Sequence, residues 1–187
     1  MTDVPTPAAA ALLTILRERG YERREQAFAL SSGGMSHDYV DCRAALAGGD
    51  ALHAAAVAVL EVIAAADVSY AAVGGMTMGA DPIAHAIAIV GETRWFSVRK
   101  ETKEHGAGRR LEGAEVVAGT RVVVVDDVSS TGGAIIKTLD ALDEVGAEVV
   151  LATVLLDRGP AARAAVEARG IRYAPVLTHV EFGIDPI

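Results

Sequence analysis

The chain has 187 residues, 51% of them hydrophobic and 22% charged, which suits one domain with a sizeable core and excludes a disordered, charge-dominated chain. Its 17 basic and 25 acidic residues leave a formal net charge of -8, which argues against polymeric nucleic acid or an anionic membrane as a partner. Aromatics are only 4%, so the core falls to Ala, Val, Leu and Ile, and any bound anion must be gripped by a local cluster of cations.

The start of the chain, with Asp3, Pro5 and Pro7, lacks the basic opening of a signal peptide. Thr6-Pro7 reads as a helix cap followed by proline at the first helical position. A helix then runs over Ala8 to Arg19, with Leu12, Leu13, Ile15 and Leu16 on roughly one face and Gly20 as its stop. Phe28 to Leu30 and Tyr39 to Arg43 read as short extended pieces around Ser31-Ser32-Gly33-Gly34, a hairpin signal. The single cysteine, Cys42, cannot close an internal disulfide and reads as a small packing residue in a reducing compartment. Asp50 is placed to cap a helix reaching about Ala65. Its apolar window, Ala54 to Ala66, is interrupted by Glu61 and falls short of the roughly 20 residues that span a bilayer. A cytoplasmic protein is expected.

From there strands and helices alternate. Strands are predicted at Tyr70 to Val73, Trp95 to Val98, Arg121 to Val125, Glu148 to Leu155 and Arg172 to Leu177. Helices are predicted at Pro82 to Val90, Gly132 to Val145 and Pro160 to Arg169. Such alternation implies parallel pairing through crossover helices, and the unbroken valines at 122 to 125 imply a sheet covered on both faces. The expected fold is α/β: one open, mainly parallel sheet flanked by helices, a single domain over 1–187 with an N-terminal elaboration before about residue 45. Ligands of such sheets sit at the carboxyl ends of the strands. That directs attention to Gly74 to Gly79, Arg99 to Gly113, Asp126 to Gly133 and Asp157 to Pro160.

Two constellations there carry chemistry. In the first, the valine strand ends in Asp126 and Asp127, then Val128, Ser129, Ser130, Thr131, Gly132, Gly133 and Ala134 lead into a helix. Such a turn aims backbone N–H groups and the positive helix end at a phosphate. Two carboxylates beside an anion make sense when the ligand also presents hydroxyls, as a ribose does, or carries a divalent cation. The order is neither a Walker loop nor a dinucleotide fingerprint. In the second, Arg99, Lys100, Lys103 and His105 fall within seven positions, followed by Gly106 and Gly108. A basic loop leaving a strand end suits a small polyanion. His37, His53, His85 and His179 show no pattern, and Trp95 reads as core.

The acidic-pair motif resembles the site for phosphoribosyl pyrophosphate (PRPP) in type I phosphoribosyltransferases. Val98 to Gly113 resembles the catalytic loop of the orotate phosphoribosyltransferases within that family. Phe28 to Arg43, with Leu30 to Gly33 and Tyr39 to Asp41 inside it, is similar to their N-terminal hood, Gly74 to Pro82 to their pyrophosphate loop, and Leu156 to Arg158 to the place of an orotate-binding arginine. Many members carry lysine at the position of Ser31, arginine at Gly34 and Tyr-Lys at Met78-Gly79.

The resemblance implies transfer of ribose 5-phosphate from PRPP to orotate, with Mg²⁺ carried by PRPP rather than caged by protein. It implies that Lys103 and His105, with Arg99 and Lys100, stabilise departing pyrophosphate, and that Asp126 and Asp127 hold the ribose hydroxyls. The Ser129 to Gly133 backbone would take the 5-phosphate, with Val128 and Ala134 also in the PRPP site, and Arg158, Ser130 and Tyr39 would take the orotate. It also implies a homodimer in which the Arg99–Gly113 loop acts in trans, with a hood formed by about 1–45 and the C-terminal segment. Two other readings stay open: a phosphoribosyltransferase for another nucleobase, and a non-catalytic PRPP-binding regulator.

Overall fold

Thr6 opens the first helix, α1 (Pro7–Arg19), its hydroxyl accepting the Ala9 N–H at 3.2 Å. The computed structural model describes residues 5–29, 34–100 and 110–187. α1 buries Ala9, Leu12 and Leu16, while Leu13 and Ile15 flank the core half-buried. Next come two antiparallel strands, β1 (Tyr21–Ala29) and β2 (Met35–Val40), with Tyr21 opposite Val40 and Arg23 opposite Asp38. This corrects the short pieces expected at 28–30 and 39–43. β1 begins seven residues earlier, because its pairing face is largely charged and carries no apolar alternation. β2 stops at Val40 because the Asp41 carboxylate accepts the Ala44 N–H at 3.1 Å and caps a helical turn, α2 (Cys42–Ala45).

The next helix, α3 (Gly49–Ala66), starts before Asp50, whose carboxylate pairs with Arg19 at 2.8 Å instead of capping. α3 is longer than the apolar window the sequence suggested. By length and composition it could cross a membrane, with a mean hydropathy of 1.6, but it packs Ala51, Ala55, Ala56, Val59 and Ile63 into the core. Alanine at these positions lets neighbouring helices approach closely.

The remaining elements are β3 (Ala72–Met76), α4 (Asp81–Val90), β4 (Arg94–Val98), β5 (Leu111–Gly113), β6 (Arg121–Ser129), α5 (Gly133–Val145), β7 (Glu148–Asp157), α6 (Pro160–Glu167), β8 (Leu177–Thr178) and α7 (His179–Phe182). Six strands form one sheet in the order β5-β4-β3-β6-β7-β8, parallel except for β5, which runs antiparallel to β4. β3 is displaced from the expected 70–73 because Gly74 and Gly75 lie within it. A Cβ at Gly75 would stand 2.1 Å from the Val125 carbonyl, so these glycines permit a close backbone approach rather than a turn. The last strand pairs regularly only at Leu177–Thr178. Ahead of it Tyr173 makes an isolated bridge to Ala152, and the Ala174 and Val176 N–H groups donate to the Ala152 and Val154 carbonyls, leaving Pro175 at the position whose N–H the pairing does not use.

Alternation on β6 sends Val123 and Val125 to one face, with Leu12, Leu16, Ile63, Ile83 and Leu155. Val122 and Val124 go to the other, with Phe96, Ile135, Leu139, Leu142 and Val166. All four valines are at most 1% exposed, each worth about 1.5–3 kcal/mol of apolar burial. The hairpin and the chain's end meet across this core. Tyr21 packs edge-on against Phe182 at 5.5 Å, and Arg17 donates to the Phe182 carbonyl at 2.7 Å.

Candidate active site

β6 does not stop at its valines. Pairing with β7 continues through Val128 and Ser129, so Asp126 and Asp127 belong to the strand and are aimed by the core beneath them. Asp126 is buried, and its Oδ1 accepts the Asp127 N–H at 3.0 Å; Asp127 Oδ1 accepts the Val128 N–H at 2.8 Å. Burial first, then the neighbouring Asp127 charge, pushes the Asp126 carboxyl up to about 8, with Lys100 opposing weakly. Such a group is relieved by hydroxyl donors or a cation.

The turn that follows leads into α5 at Gly133, one residue later than the sequence suggested. Gly132 precedes it at φ 77°, and no side chain caps the helix. The N–H groups of a helix's first turn lack intrahelical partners, so this end faces the turn with donors to spare. Ser129 is buried and its carbonyl accepts the Arg158 N–H at 2.7 Å, which ties the turn to the end of β7.

A cavity of about 430 Å³ opens over the pair, bordered by Tyr39, Asp41, Arg43, Thr77 to Gly79, Lys100, Val128 and Ala134. Its β3 side begins where the Thr77 N–H donates to the Val98 carbonyl at 2.9 Å; the Thr77–Met78 peptide is cis. Gly79 presses against the pair, since a Cβ there would lie 2.8 Å from Asp127 Oδ1 and 2.9 Å from Asp126 Oδ1. Tyr39 lies under the Arg24 guanidinium, 4.6 Å from its ring centroid, and edge-on to Phe28 at 5.7 Å.

Of the basic cluster, Arg99 and Lys100 reach this end of the sheet. Arg99 pairs with Glu112 of β5 at 2.9 Å, and both border a second cavity of about 630 Å³ lined by Asp81, His85, Trp95 and Ser97. Trp95 thus packs on the core with one side while another meets this cavity, edge-on to His85 at 4.3 Å. Lys103 and His105 lie outside the described residues, as do Ser31 and Gly33. The expected loop over 99–113 is shorter at its far end, where Leu111–Gly113 pairs as β5.

Arg158 is 3% exposed. Its guanidinium donates to the Asp38 carbonyl at 3.1 Å and to Ser36 Oγ at 3.4 Å, and burial lowers its pKa. In this arrangement it fastens β2 to the end of β7, directly beside Tyr39.

Sequence reasoning missed three groups. Asp38 is 2% exposed, its Oδ1 accepting from the Tyr21 hydroxyl and from Arg23, both at 2.8 Å. Ser97 Oγ donates to Asp81 Oδ1 at 2.6 Å, joining β4 to the start of α4 beside the pyrophosphate-loop candidate. Arg43 borders the acid-pair cavity. Each depends on partners from another element, and no short-range pattern announces them. Cys42 is the buried packing residue expected, its thiol pushed up by burial and by the nearby aspartates.

A phosphoribosyl transferase domain model matches residues 54–186. The chain is 42% identical over 161 residues to the orotate phosphoribosyltransferase of Mycobacterium tuberculosis (strain ATCC 25618 / H37Rv), covering 83% of this chain and 87% of that one. The chain belongs to the orotate phosphoribosyltransferase family. Another member, from Pyrococcus furiosus, is 38% identical over 156 residues, covering 83% of this chain and 85% of its own. Among solved structures, the M. tuberculosis H37Rv orotate phosphoribosyltransferase in complex with PRPP superposes with a TM-score of 0.77 at 36% identity, covering 95% of this chain and all of that one. The expected α/β family fold is therefore the one observed. The domain match begins inside α3, so the β1–β2 hairpin lies ahead of it.

Proposed function

We propose that this orotate phosphoribosyltransferase family member joins C1 of the PRPP ribose to a ring nitrogen of orotate, giving orotidine 5′-monophosphate and pyrophosphate for pyrimidine synthesis. The observation that carries the reading is the acid pair at the end of β6, set between an uncapped helix start and Gly79. One ligand with a phosphate, vicinal hydroxyls and a second anionic end matches this order of groups.

In this mechanism the Ser129–Gly133 backbone binds the 5-phosphate, and Asp126 and Asp127 accept hydrogen bonds from the ribose hydroxyls. As the C1–O bond to pyrophosphate breaks, positive charge builds on the ring and negative charge on the leaving group. Cations preorganised at the leaving group lower that barrier by a few kcal/mol each in a closed site. Lys100, with Arg99, Lys103 and His105, takes this part. Buried carboxylate oxygens suit a hard cation: Mg²⁺ arriving with PRPP would be held through the ligand beside Asp126 and Asp127, supplying charge neutralisation. Arg158, Ser130 and Tyr39 take the orotate, with Arg158 turning its fork from Ser36 to the orotate carboxylate.

The hairpin, α1, α2 and α7 act as the hood of a single domain, supported by the Tyr21–Phe182 and Arg17–Phe182 contacts. A homodimer with the 99–113 loop acting in trans belongs to the same reading, and Ile89 of α4, 80% exposed, offers apolar surface to such a contact. A cytoplasmic setting suits both. Loss of orotate absorbance should require PRPP and Mg²⁺. Turnover of hypoxanthine, guanine or uracil with orotate untouched overturns the reading. Mixing a Lys103→Ala chain with an Asp127→Asn chain should restore activity if the loop acts in trans, and should leave both silent if it does not.

A further inference from the structure

With the 5-phosphate at the start of α5 and the ribose on Asp126 and Asp127, the pyrophosphate of PRPP must extend away from α5, over the loop that follows β3. The inference rests on that reading. The loop brings no cation of its own: it offers Thr77, Met78 and Gly79, and any side chain at Gly79 displaces the acid pair. Asp41, Asp126 and Asp127 all face the same cavity, so an anion there needs opposing charge.

The cations that border it among the described residues are Lys100 and Arg43. Arg43 also lines a smaller cavity of about 210 Å³ together with Gly79, Pro82 and Asp127, so it stands beside the Gly79 contact. Its backbone is fixed by the Asp41 cap and by buried Cys42, which anchors α2 beneath the acid pair. Its side chain is 57% exposed. Among the described residues its one ion pair is Nε to Asp41 Oδ1 at 3.8 Å, beyond hydrogen-bond length, and that oxygen already serves the Ala44 N–H. An anchored backbone under a guanidinium with uncommitted donors is the arrangement that grips phosphate oxygens in a fork.

We propose that Arg43 binds the pyrophosphate end of PRPP, providing from α2 the cation that the Gly79 loop lacks. Turnover of orotate by the unaltered protein is measured first; its failure overturns the functional reading and leaves the Arg43 measurement standing. Pyrophosphate and ribose 5-phosphate, each with Mg²⁺, are then titrated into wild type, Arg43→Ala and Arg43→Lys. Arg43→Ala should weaken pyrophosphate binding and raise KM for PRPP about 10- to 100-fold, with ribose 5-phosphate affinity and KM for orotate within about twofold. Arg43→Lys should recover part of the loss, and it carries the comparison if the alanine variant does not fold. Unchanged pyrophosphate affinity overturns the proposal. An equal loss for ribose 5-phosphate also overturns it, because that marks a general distortion of the site.

Discussion

Asp126 and Asp38 are both buried carboxylates, 6% and 2% exposed, but their surroundings differ in kind. Asp38 is satisfied within the protein: Tyr21 and Arg23 donate to it, while its backbone carbonyl holds Arg158. Asp126 receives one backbone N–H, faces a second carboxylate and, among the described residues, has no ion pair. A polar group already paired serves the fold, here by pinning a polar hairpin over the sheet. A polar group left short of partners on a rigid strand is reserved for something that arrives from outside.

Disabling the acid pair and Asp38 in turn tests this contrast. Asp127→Asn, which disables the open pair without removing buried volume, should lower kcat/KM for PRPP about 10²- to 10³-fold with the urea midpoint nearly unchanged. A large stability loss with mild kinetics would reverse the assignment. Asp38→Ala should do the opposite. It strands the Tyr21 hydroxyl and loosens Arg158, costing about 1–3 kcal/mol in urea unfolding, with KM for orotate rising more than KM for PRPP.

The third test is pH. The folded-state pKa of Asp126 is raised above its unfolded value near 3.9, so its contribution is fully favourable below about pH 4. It is lost as pH climbs to about 8. Ligand-free stability should fall across that window with a component of at most about 1.4 kcal/mol per pH unit, and Asp126→Asn should remove that component. A variant that keeps the wild-type slope would assign it elsewhere. The smallest effect is expected on the hairpin surface. Arg24 lies 4.8 Å from the Phe28 ring centroid and 4.6 Å from that of Tyr39, and Arg24→Ala should cost about 0.5–1 kcal/mol in unfolding measurements.

Much of this molecule could be read from short stretches. Thr6-Pro7 opened a helix where expected, and Val122 to Val125 marked the central buried strand. Asp126 to Gly133 read as a phosphate turn because its carboxylates, hydroxyls and glycines are neighbours in the chain. The hairpin was misjudged, since β1 is charged along much of its length and its stability comes from pairing and from Asp38. β5 was hidden inside a segment whose charges spoke for a loop. The last strand came out shorter than its apolar run suggested, since over 172–176 it holds β7 through an isolated bridge and separate backbone bonds.

The sequence by itself determined an α/β chain, the alternation of its central strands and crossover helices, and the residue types at the ends of two central strands. These follow from local periodicity, capping and turn chemistry, which act over a few residues. The tertiary structure decided that Gly79 abuts the acid pair, that Arg158 is spent on β2 and that Arg43 flanks the cavity. Those relations join residues tens of positions apart. They depend on crossover connections and sheet twist, which bring distant strand ends to one edge and leave no mark on any single stretch of sequence.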